Sequence, residues 1–285
     1  MERSSNITVM EVMTMIELLA DFFHYDFMWK ALLIGVMISA STSVLGVYLV
    51  LEKMSLIGDG LAHASFGGIA LGFLFNVDPV LTAFAVAGIA SFGINHLVTK
   101  ERTHGDSAIA LALSTGMALA VVIIGVVGGF NADLFSYLFG SILSISFNDI
   151  ILTFVVSGGV VGFFVFKYDS ILQMNFNEEL AELNGVNTKR TKYVLTFLVA
   201  LSVVTAVRAV GILLVTGLIV IPPLTALQIA KSYKNAVFLS FLVSMSGMFV
   251  GVFSSFALDI PPSGAIILSL ILLFGISTLI SEKEK

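Results

Sequence analysis

The sequence predicts an all-α polytopic membrane protein with about nine transmembrane helices, within a range of about eight to ten, plus a short re-entrant helix and a short helix in a polar loop. Hydrophobic residues make up 58% of the chain and charged residues only 12%, and the mean hydropathy is +1.04. Soluble chains carry about 25% charged and about 45–50% apolar residues. Apolar runs long enough to cross a bilayer also recur along the chain, so we expect it to fold in lipid.

Windows of about 20 apolar residues locate the individual spans. The stretch 134–147 is too short to cross untilted, so it is predicted to be a partial or re-entrant helix buried in protein. We expect residues 28–285 to form one transmembrane domain and residues 1–27 an extracytoplasmic segment, with an amphipathic part at 7–24 on the membrane surface. The predicted spans are 28–51, 54–76, 79–98, 107–128, 148–167, 191–207, 211–230, 235–257 and 262–281.

Basic residues in the connecting loops predict the orientation, because cytoplasmic loops carry an excess of Lys and Arg. With nine spans, all of the loop cations but one fall on the same side, which places the N-terminus outside and the C-terminus inside the cytoplasmic membrane. The exception is Arg208, which this count leaves as a lone cation on the outer side or slightly buried. The cytoplasmic cations are Lys100, Arg102, Lys189, Arg190, Lys192, Lys231, Lys234, Lys283 and Lys285.

Composition and missing motifs exclude several classes of function. The chain contains no cysteine, which removes disulfides, thiolate metal sites and cysteine nucleophiles. A net charge of −5 gives no basic footprint for nucleic acid. The sequence contains no H-E-x-x-H, G-x-S-x-G or G-x-x-x-x-G-K-[ST] motif. We therefore expect no ATPase activity from this chain and no permanently bound cofactor, so active transport would need a separate subunit or an ion gradient.

Asp59 and His63 are two ionisable residues within a predicted membrane span, where such residues are unusual. They lie four residues apart in the apolar stretch "LEKMSLIGDGLAHASFGGIALG" at 51–72, so one helix face presents both. Carboxylate and imidazole suit Zn²⁺, Mn²⁺ or Fe²⁺, and an ionisable group inside a span costs about 2.5–3.5 kcal/mol on insertion scales. Three alternatives to a metal-binding role of the pair stay open: a hydrogen bond between Asp59 and His63, compensation for a helix broken at Gly58 and Gly60, and a proton relay.

Two ligands make an incomplete metal site, because protein sites for these ions supply three or four. The others would come from another span, from water or from a second subunit. The remaining histidines, His24, His96 and His104, lie before the first span or near the end of a later one. They are predicted to be surface residues.

The polar insert 167–192 contains a predicted two-turn helix at 177–185, "NEELAELNG". Asn177 can cap its N-terminus, Glu178 and Glu179 lie in the first turn, and Asn184 with Gly185 forms a stop. This cytoplasmic helix is either a solvated connector or a docking helix for a soluble partner.

Four G-x-x-x-G pairs can serve either packing within the subunit or a dimer face: Gly68/Gly72, Gly125/Gly129, Gly158/Gly162 and Gly247/Gly251.

Several of these stretches resemble one known family. "LEKMSLIGDGLAHASFGGIALGFLF" closely resembles the segment after the first span in permeases of bacterial and archaeal ABC importers for manganese, zinc and iron(II), a family called ABC-3. "ADLFSYLFGSIL" at 132–143, the region 177–232 and "LDIPPSGAIILS" at 258–269 are similar to further parts of that family. The resemblance runs from about residue 28 to the C-terminus. Glu52-Lys53 departs from two basic residues common in the family, and "PPLTA" at 222–226 departs from "PAATA".

The resemblance implies a homodimeric permease, a pair of cytoplasmic ATP-binding subunits and an extracytoplasmic metal-binding protein that delivers the ion. It implies that Asp59 and His63 contribute to a metal site in the translocation path. It also implies that the helix with Asn177, Glu178, Glu179, Leu180, Ala181 and Gly185 is the coupling helix that seats in the ATPase.

The leading hypothesis is therefore the membrane subunit of an ATP-driven importer of Mn, Zn or Fe(II). The alternative is a proton-coupled secondary metal transporter, which would usually show paired internal repeats with broken helices. A membrane enzyme or scaffold comes third. The sequence does not identify the metal, because Asp plus His suits all three ions.

Overall fold

The computed structural model describes residues 24–99, 105–127, 129, 132–141 and 145–281. Eleven helices lie wholly within these ranges, which contain no strand. They are α1 (Asp26–Leu51), α2 (Ile57–Phe75), α3 (Pro79–Thr99), α4 (Gly105–Val127), α5 (Ala132–Phe139), α6 (Phe147–Phe176), α7 (Glu178–Leu183), α8 (Thr188–Val210), α9 (Ile212–Ile229), α10 (Tyr233–Leu258) and α11 (Pro262–Ser281).

Eight of the described helices are long and apolar enough to cross a membrane: α1 to α4, α6, α8, α10 and α11. The other predicted span, 211–230, corresponds to α9, an apolar 18-residue helix over Ile212–Ile229. At about 1.5 Å per residue α9 is about 27 Å long, slightly less than a hydrocarbon core of about 30 Å. The predicted all-α polytopic fold is confirmed.

Helices α1 and α2 lie at the centre of the bundle. Helix α1 packs against α6, α8, α9 and α10, whereas α2 packs against α3, α4, α8 and α9. Glycines allow the closest approaches: a side chain at Gly46 would collide with the Ile219 carbonyl and Pro223, and one at Gly116 with the backbone at His63 and Ala64. These contacts hold α9 and α4 against the two central helices.

Helix α6 is longer than the sequence predicts, since it extends to Phe176 rather than ending near residue 167. It begins with a capping box in which Asp149 N–H donates to the Ser146 hydroxyl and the Asp149 carboxylate accepts from Ser146 N–H. Ile171 and Met174, within the predicted polar insert, are buried. The insert reads as a loop because it is polar, but its apolar residues pack on the bundle and continue the helix.

The corner between α8 and α9 is a single residue, Gly211, with φ +89°. Gly140, with φ +74°, follows α5 and lies directly against it, so a side chain at either glycine would collide with the backbone of the other segment. Ser141 N–H also donates to the Arg208 carbonyl at 3.2 Å. Among the described residues of the predicted re-entrant segment 134–147, α5 is helical to Phe139 and ends on this corner, and α6 begins at Phe147.

Arg208, the exception to the predicted charge pattern, is partly buried and has an anionic partner. Its Nη1 donates to Asp149 Oδ1 at 2.6 Å, and its guanidinium lies 5.7 Å from the centre of the Tyr137 ring. Asp149 Oδ2 accepts from Ser146 N–H and from the Ser146 hydroxyl, at 2.8 and 2.6 Å. This cluster joins α5, α6 and α8, and it could not be seen in the sequence because 59 residues separate Asp149 from Arg208.

The predicted G-x-x-x-G pairs divide into two groups. Gly68 and Gly72 pack on α3, and Gly247 and Gly251 pack on α11. Side chains at Gly125, Gly129, Gly158 or Gly162 would meet no described atom within 4 Å.

The predicted surface segment 7–24, except its last residue, and His104 lie outside the described residues.

Candidate metal site

Asp59 and His63 lie on one face of α2, in its first two turns. His63 Nε2 is 3.7 Å from Asp59 Oδ1, too far for a hydrogen bond between them. Metal bonds of about 2.0–2.2 Å separate two ligands of one tetrahedral ion by about 3.4 Å. A shift of a few tenths of an ångström would therefore bring both atoms onto one divalent ion.

Glycines on both sides of Asp59 do not break the helix. Gly58 and Gly60 both belong to the continuous helix α2. A side chain at Gly60 would come within 2.9 Å of Ile109, and one at Gly58 within 3.1 Å of Ile219. These glycines therefore let α4 and α9 approach the carboxylate, and the sequence alternative of a broken helix at this point is wrong.

Thr216 on α9 is a site residue that sequence reasoning missed. Its hydroxyl donates to Asp59 Oδ1 at 3.2 Å, which fixes one oxygen of the carboxylate and leaves Oδ2 available. The two residues are 157 positions apart, and a lone threonine in an apolar helix gives no signal in the sequence. Only the packing of α9 against α2 makes the contact.

The imidazole of His63 is incompletely partnered. Its side chain is 11% exposed, whereas that of Asp59 is 32% exposed. His63 Nδ1 is buried and has no hydrogen-bond partner among the described residues. An unpaired buried polar atom costs about 1–3 kcal/mol, so the pair is not arranged for stability alone.

The described residues place no third His, Cys, Asp or Glu close enough to complete a metal site. His24 and His96 are exposed, as predicted, and lie outside the pair. The part of the chain that the structure describes thus provides two donors and a positioning hydroxyl.

The predicted helix in the polar insert forms as α7, with the predicted caps. The Asn177 side-chain oxygen accepts from Leu180 N–H at 3.0 Å, and Gly185 adopts φ +85° after the helix. Ala181 faces inward and is buried, whereas Leu180 and Leu183 are 58% and 82% exposed. An exposed apolar pair on a short polar connection favours a protein interface over a solvated loop.

Lys192 on α8 connects α7 to the turn that precedes the Asp–His helix. Its Nζ lies 2.5 Å from Glu178 Oε2 and 3.8 Å from Glu52 Oε2. Burial raises the pKa of Glu52, and Glu178 raises it further, while Lys192 acts in the opposite direction. Glu52, where the sequence departs from the basic residues common in the family, therefore has Lys192 as its partner in the fold.

An ionisable pair inside a bundle of membrane-spanning helices is typical of membrane transport proteins, which use such residues along ion pathways. The chain belongs to the ABC 3 transport family, whose sequence model matches residues 24–281. The resemblance inferred from the motifs is confirmed, and the chain is a multi-pass membrane permease of this family.

Two relatives and one solved structure show how far the similarity extends. The chain is 28% identical over 259 residues to the high-affinity zinc uptake system membrane protein ZnuB of Haemophilus influenzae, covering 91% of this chain and 99% of that one. It is 27% identical over 261 residues to the manganese transport system membrane protein MntC of Listeria monocytogenes, covering 92% and 93%. A chain in the structure of PsaBC from Streptococcus pneumoniae in complex with Fab superimposes with a TM-score of 0.82 at 28% identity, covering 92% of this chain and 95% of that one.

Proposed function

We propose that the chain is the permease subunit of an ATP-driven importer that carries a divalent transition metal ion, Mn²⁺, Zn²⁺ or Fe²⁺, across the cytoplasmic membrane. The observation that carries the proposal is the Asp59–His63 pair, 3.7 Å apart on a central helix and left with a buried nitrogen unpaired. The similar proteins named for zinc and for manganese support a metal cargo without choosing between the two ions.

In this function Asp59 and His63 bind the ion in transit. The more exposed carboxylate meets the ion first, and the buried imidazole replaces part of its water shell. The Thr216 hydroxyl orients the carboxylate throughout. Two donors leave the coordination of the ion incomplete, so further ligands are needed.

The remaining ligands come from water or from a second copy of the chain in this proposal, since a homodimer carries two Asp–His pairs. The open Gly158 and Gly162 on α6 support a homodimer, because a face of small residues lets two helices approach closely in lipid. Residues 28–285 act as one permease domain, with the N-terminus outside and the C-terminus inside.

The energy comes from a separate cytoplasmic ATP-binding subunit that docks on α7. Leu180 and Leu183 provide its apolar contacts, and Glu179, exposed and without a partner among the described residues, provides a charge. An extracytoplasmic metal-binding protein delivers the ion at the opposite face.

The test measures metal uptake by cells in which this transporter is the main route for the ion. Asp59→Ala and His63→Ala should each abolish uptake while the protein stays inserted and dimeric. Asp106→Ala and His96→Ala are the matched controls, because they remove an exposed residue of the same type, and both should keep parental uptake. Parental uptake by the Asp59→Ala/His63→Ala double variant would refute the role of the pair.

Vesicles reconstituted with the ATP-binding subunit separate the two energy sources. ATP-dependent accumulation without a proton gradient is expected. Accumulation that requires the gradient and ignores ATP would favour the proton-coupled alternative.

A further inference from the structure

A polar pocket of about 620 Å³ lies between α6 and α8, beside the connection that follows α7. Its wall combines apolar side chains, Phe163 and Val194, with two cations, Lys167 and Arg190. No Asp or Glu is among the described residues that line it. The charged side chains that line the pocket are thus both positive, and neither Asp59 nor His63 is among its lining residues.

The two cations have no partner in the described chain. Lys167 and Arg190 are exposed, and their side chains form none of the ion pairs seen among these residues. Ser170 adds a hydroxyl to the same wall, and Asn187 adds an amide whose oxygen already accepts from Arg190 N–H. Two free cations with a nearby hydroxyl suit a phosphate group, which Arg binds through two parallel hydrogen bonds.

The position of the pocket points to a membrane ligand. The apolar run of α6 ends at Phe166, which is 89% exposed, and Lys167 follows it directly. Phe163 therefore lies on the lipid side of this boundary, with Lys167 at the edge. A ligand that fills the pocket must carry an anionic group above this boundary and apolar chains below it.

A second groove gives the contrast. It lies between α6 and α10, has a volume of about 770 Å³ and, unlike the first pocket, is mostly apolar. Its cation, Lys234, lies over the Tyr168 ring at 4.9 Å, and Asp169 shares the lining. Because both signs are present, that groove has no preference for an anion.

We propose that the pocket between α6 and α8 binds an anionic phospholipid, with the phosphate held by Lys167 and Arg190 and an acyl chain packed along Phe163 and Val194. Basic pockets between membrane helices on the cytoplasmic side recognise anionic headgroups in this way. The proposal does not depend on the metal that is carried.

The experiment measures which lipid the protein retains. The purified full-length chain is placed in bilayer discs containing equal amounts of phosphatidylglycerol and phosphatidylcholine, and the bound lipids are counted by native mass spectrometry. The parent should retain phosphatidylglycerol preferentially. Lys167→Gln with Arg190→Gln should reduce that preference by about fivefold for each cation removed.

Lys189→Gln with Lys231→Gln is the matched control, because it removes two exposed cations that do not line the pocket, one in the first turn of α8 and one between α9 and α10. It should keep the parental preference, and Arg190→Lys should keep most of it. Equal loss in the control pair would overturn the proposal, because the preference would then follow net charge alone.

Two further arms distinguish other ligands. Inorganic phosphate at high concentration should not displace the lipid, and full displacement would show a free-anion site instead. The purified ATP-binding subunit is also added to each variant. If the double variant keeps the lipid preference and loses the ATP-binding subunit, the pocket is a protein interface and the lipid proposal is wrong.

Discussion

Asp149 and Asp59 are both carboxylates among membrane-spanning helices, but they differ in burial and in the number of hydrogen bonds they accept. Asp149 is buried and accepts three hydrogen bonds, two from Ser146 and one from Arg208. Asp59 is partly exposed, accepts one hydrogen bond from Thr216, and faces a histidine with an unpaired nitrogen. An ionisable residue in a span can therefore be part of an ion pair that joins helices, as Asp149 is with Arg208. What separates the two is whether the fold already satisfies the charge.

The largest effect should come from breaking the satisfied pair. Asp149→Ala leaves Arg208 without its carboxylate partner, and because the Arg208 side chain is 31% exposed the cost should be lower than the figure of about 3–5 kcal/mol for a fully buried pair. The thermal unfolding temperature of the detergent-purified protein should fall strongly. Asp59→Ala, measured in the same way, should lose only about 1 kcal/mol, the worth of one hydrogen bond. Equal losses in both variants would remove the distinction.

A smaller effect is expected when the orientation of Asp59 is released and the carboxylate is kept. Thr216→Val removes the hydroxyl bonded to Asp59, and metal uptake should fall by about 10–100-fold, as for other groups that orient metal ligands. Thr225→Val on the same helix is the control, since its hydroxyl bonds the Ile221 carbonyl of its own helix. Unchanged uptake in Thr216→Val would show that the contact is only structural.

The same contrast separates the two glutamates in the first turn of α7. Glu178 is paired with Lys192, whereas Glu179 has no partner among the described residues. Glu179→Gln should weaken co-purification of the ATP-binding subunit by several-fold at low salt, because the free charge is available to a partner. Metal binding should stay unchanged. Glu178→Gln should weaken association less, and the reverse order would show that the paired residue makes the contact.

The smallest effect concerns Glu52, a third carboxylate that is only partly satisfied. Its pKa is raised mainly by burial, so the folded protein disfavours its charged form. Stability from this group is present below the ordinary glutamate pKa and is lost as the pH rises through the raised value. Glu52→Gln should therefore unfold at a slightly higher temperature than the parent near neutral pH, and the difference should vanish in acid. A lower unfolding temperature for Glu52→Gln near neutral pH would mean that the pair with Lys192 outweighs burial.

Local signals in the sequence predicted the elements that local chemistry determines. The caps of α7 at Asn177 and Gly185 were predicted correctly because each acts within a few residues of itself. The spans followed from hydropathy, and the i, i+4 spacing placed Asp59 and His63 on one face. The site residues themselves remain predictions until uptake is measured.

The sequence could not reveal contacts between distant segments. Thr216 reaches Asp59, and Arg208 reaches Asp149, only after the helices pack. The extension of α6 to Phe176 was missed for a related reason, since Ile171 and Met174 are buried by the bundle and not by their own sequence context. In each case tertiary packing decided what hydropathy left open.

The one-residue corner at Gly211 has a consequence for the proposed metal site. With no loop between them, the direction of α9 is set by the direction of α8 and by the two backbone angles of one glycine. Thr216 lies about 7.5 Å further along that axis, so those angles aim its hydroxyl at Asp59. A substitution that changes the backbone angles at Gly211 would therefore shift the Thr216 hydroxyl and reorient the Asp59 carboxylate, although Gly211 itself contacts neither Asp59 nor His63.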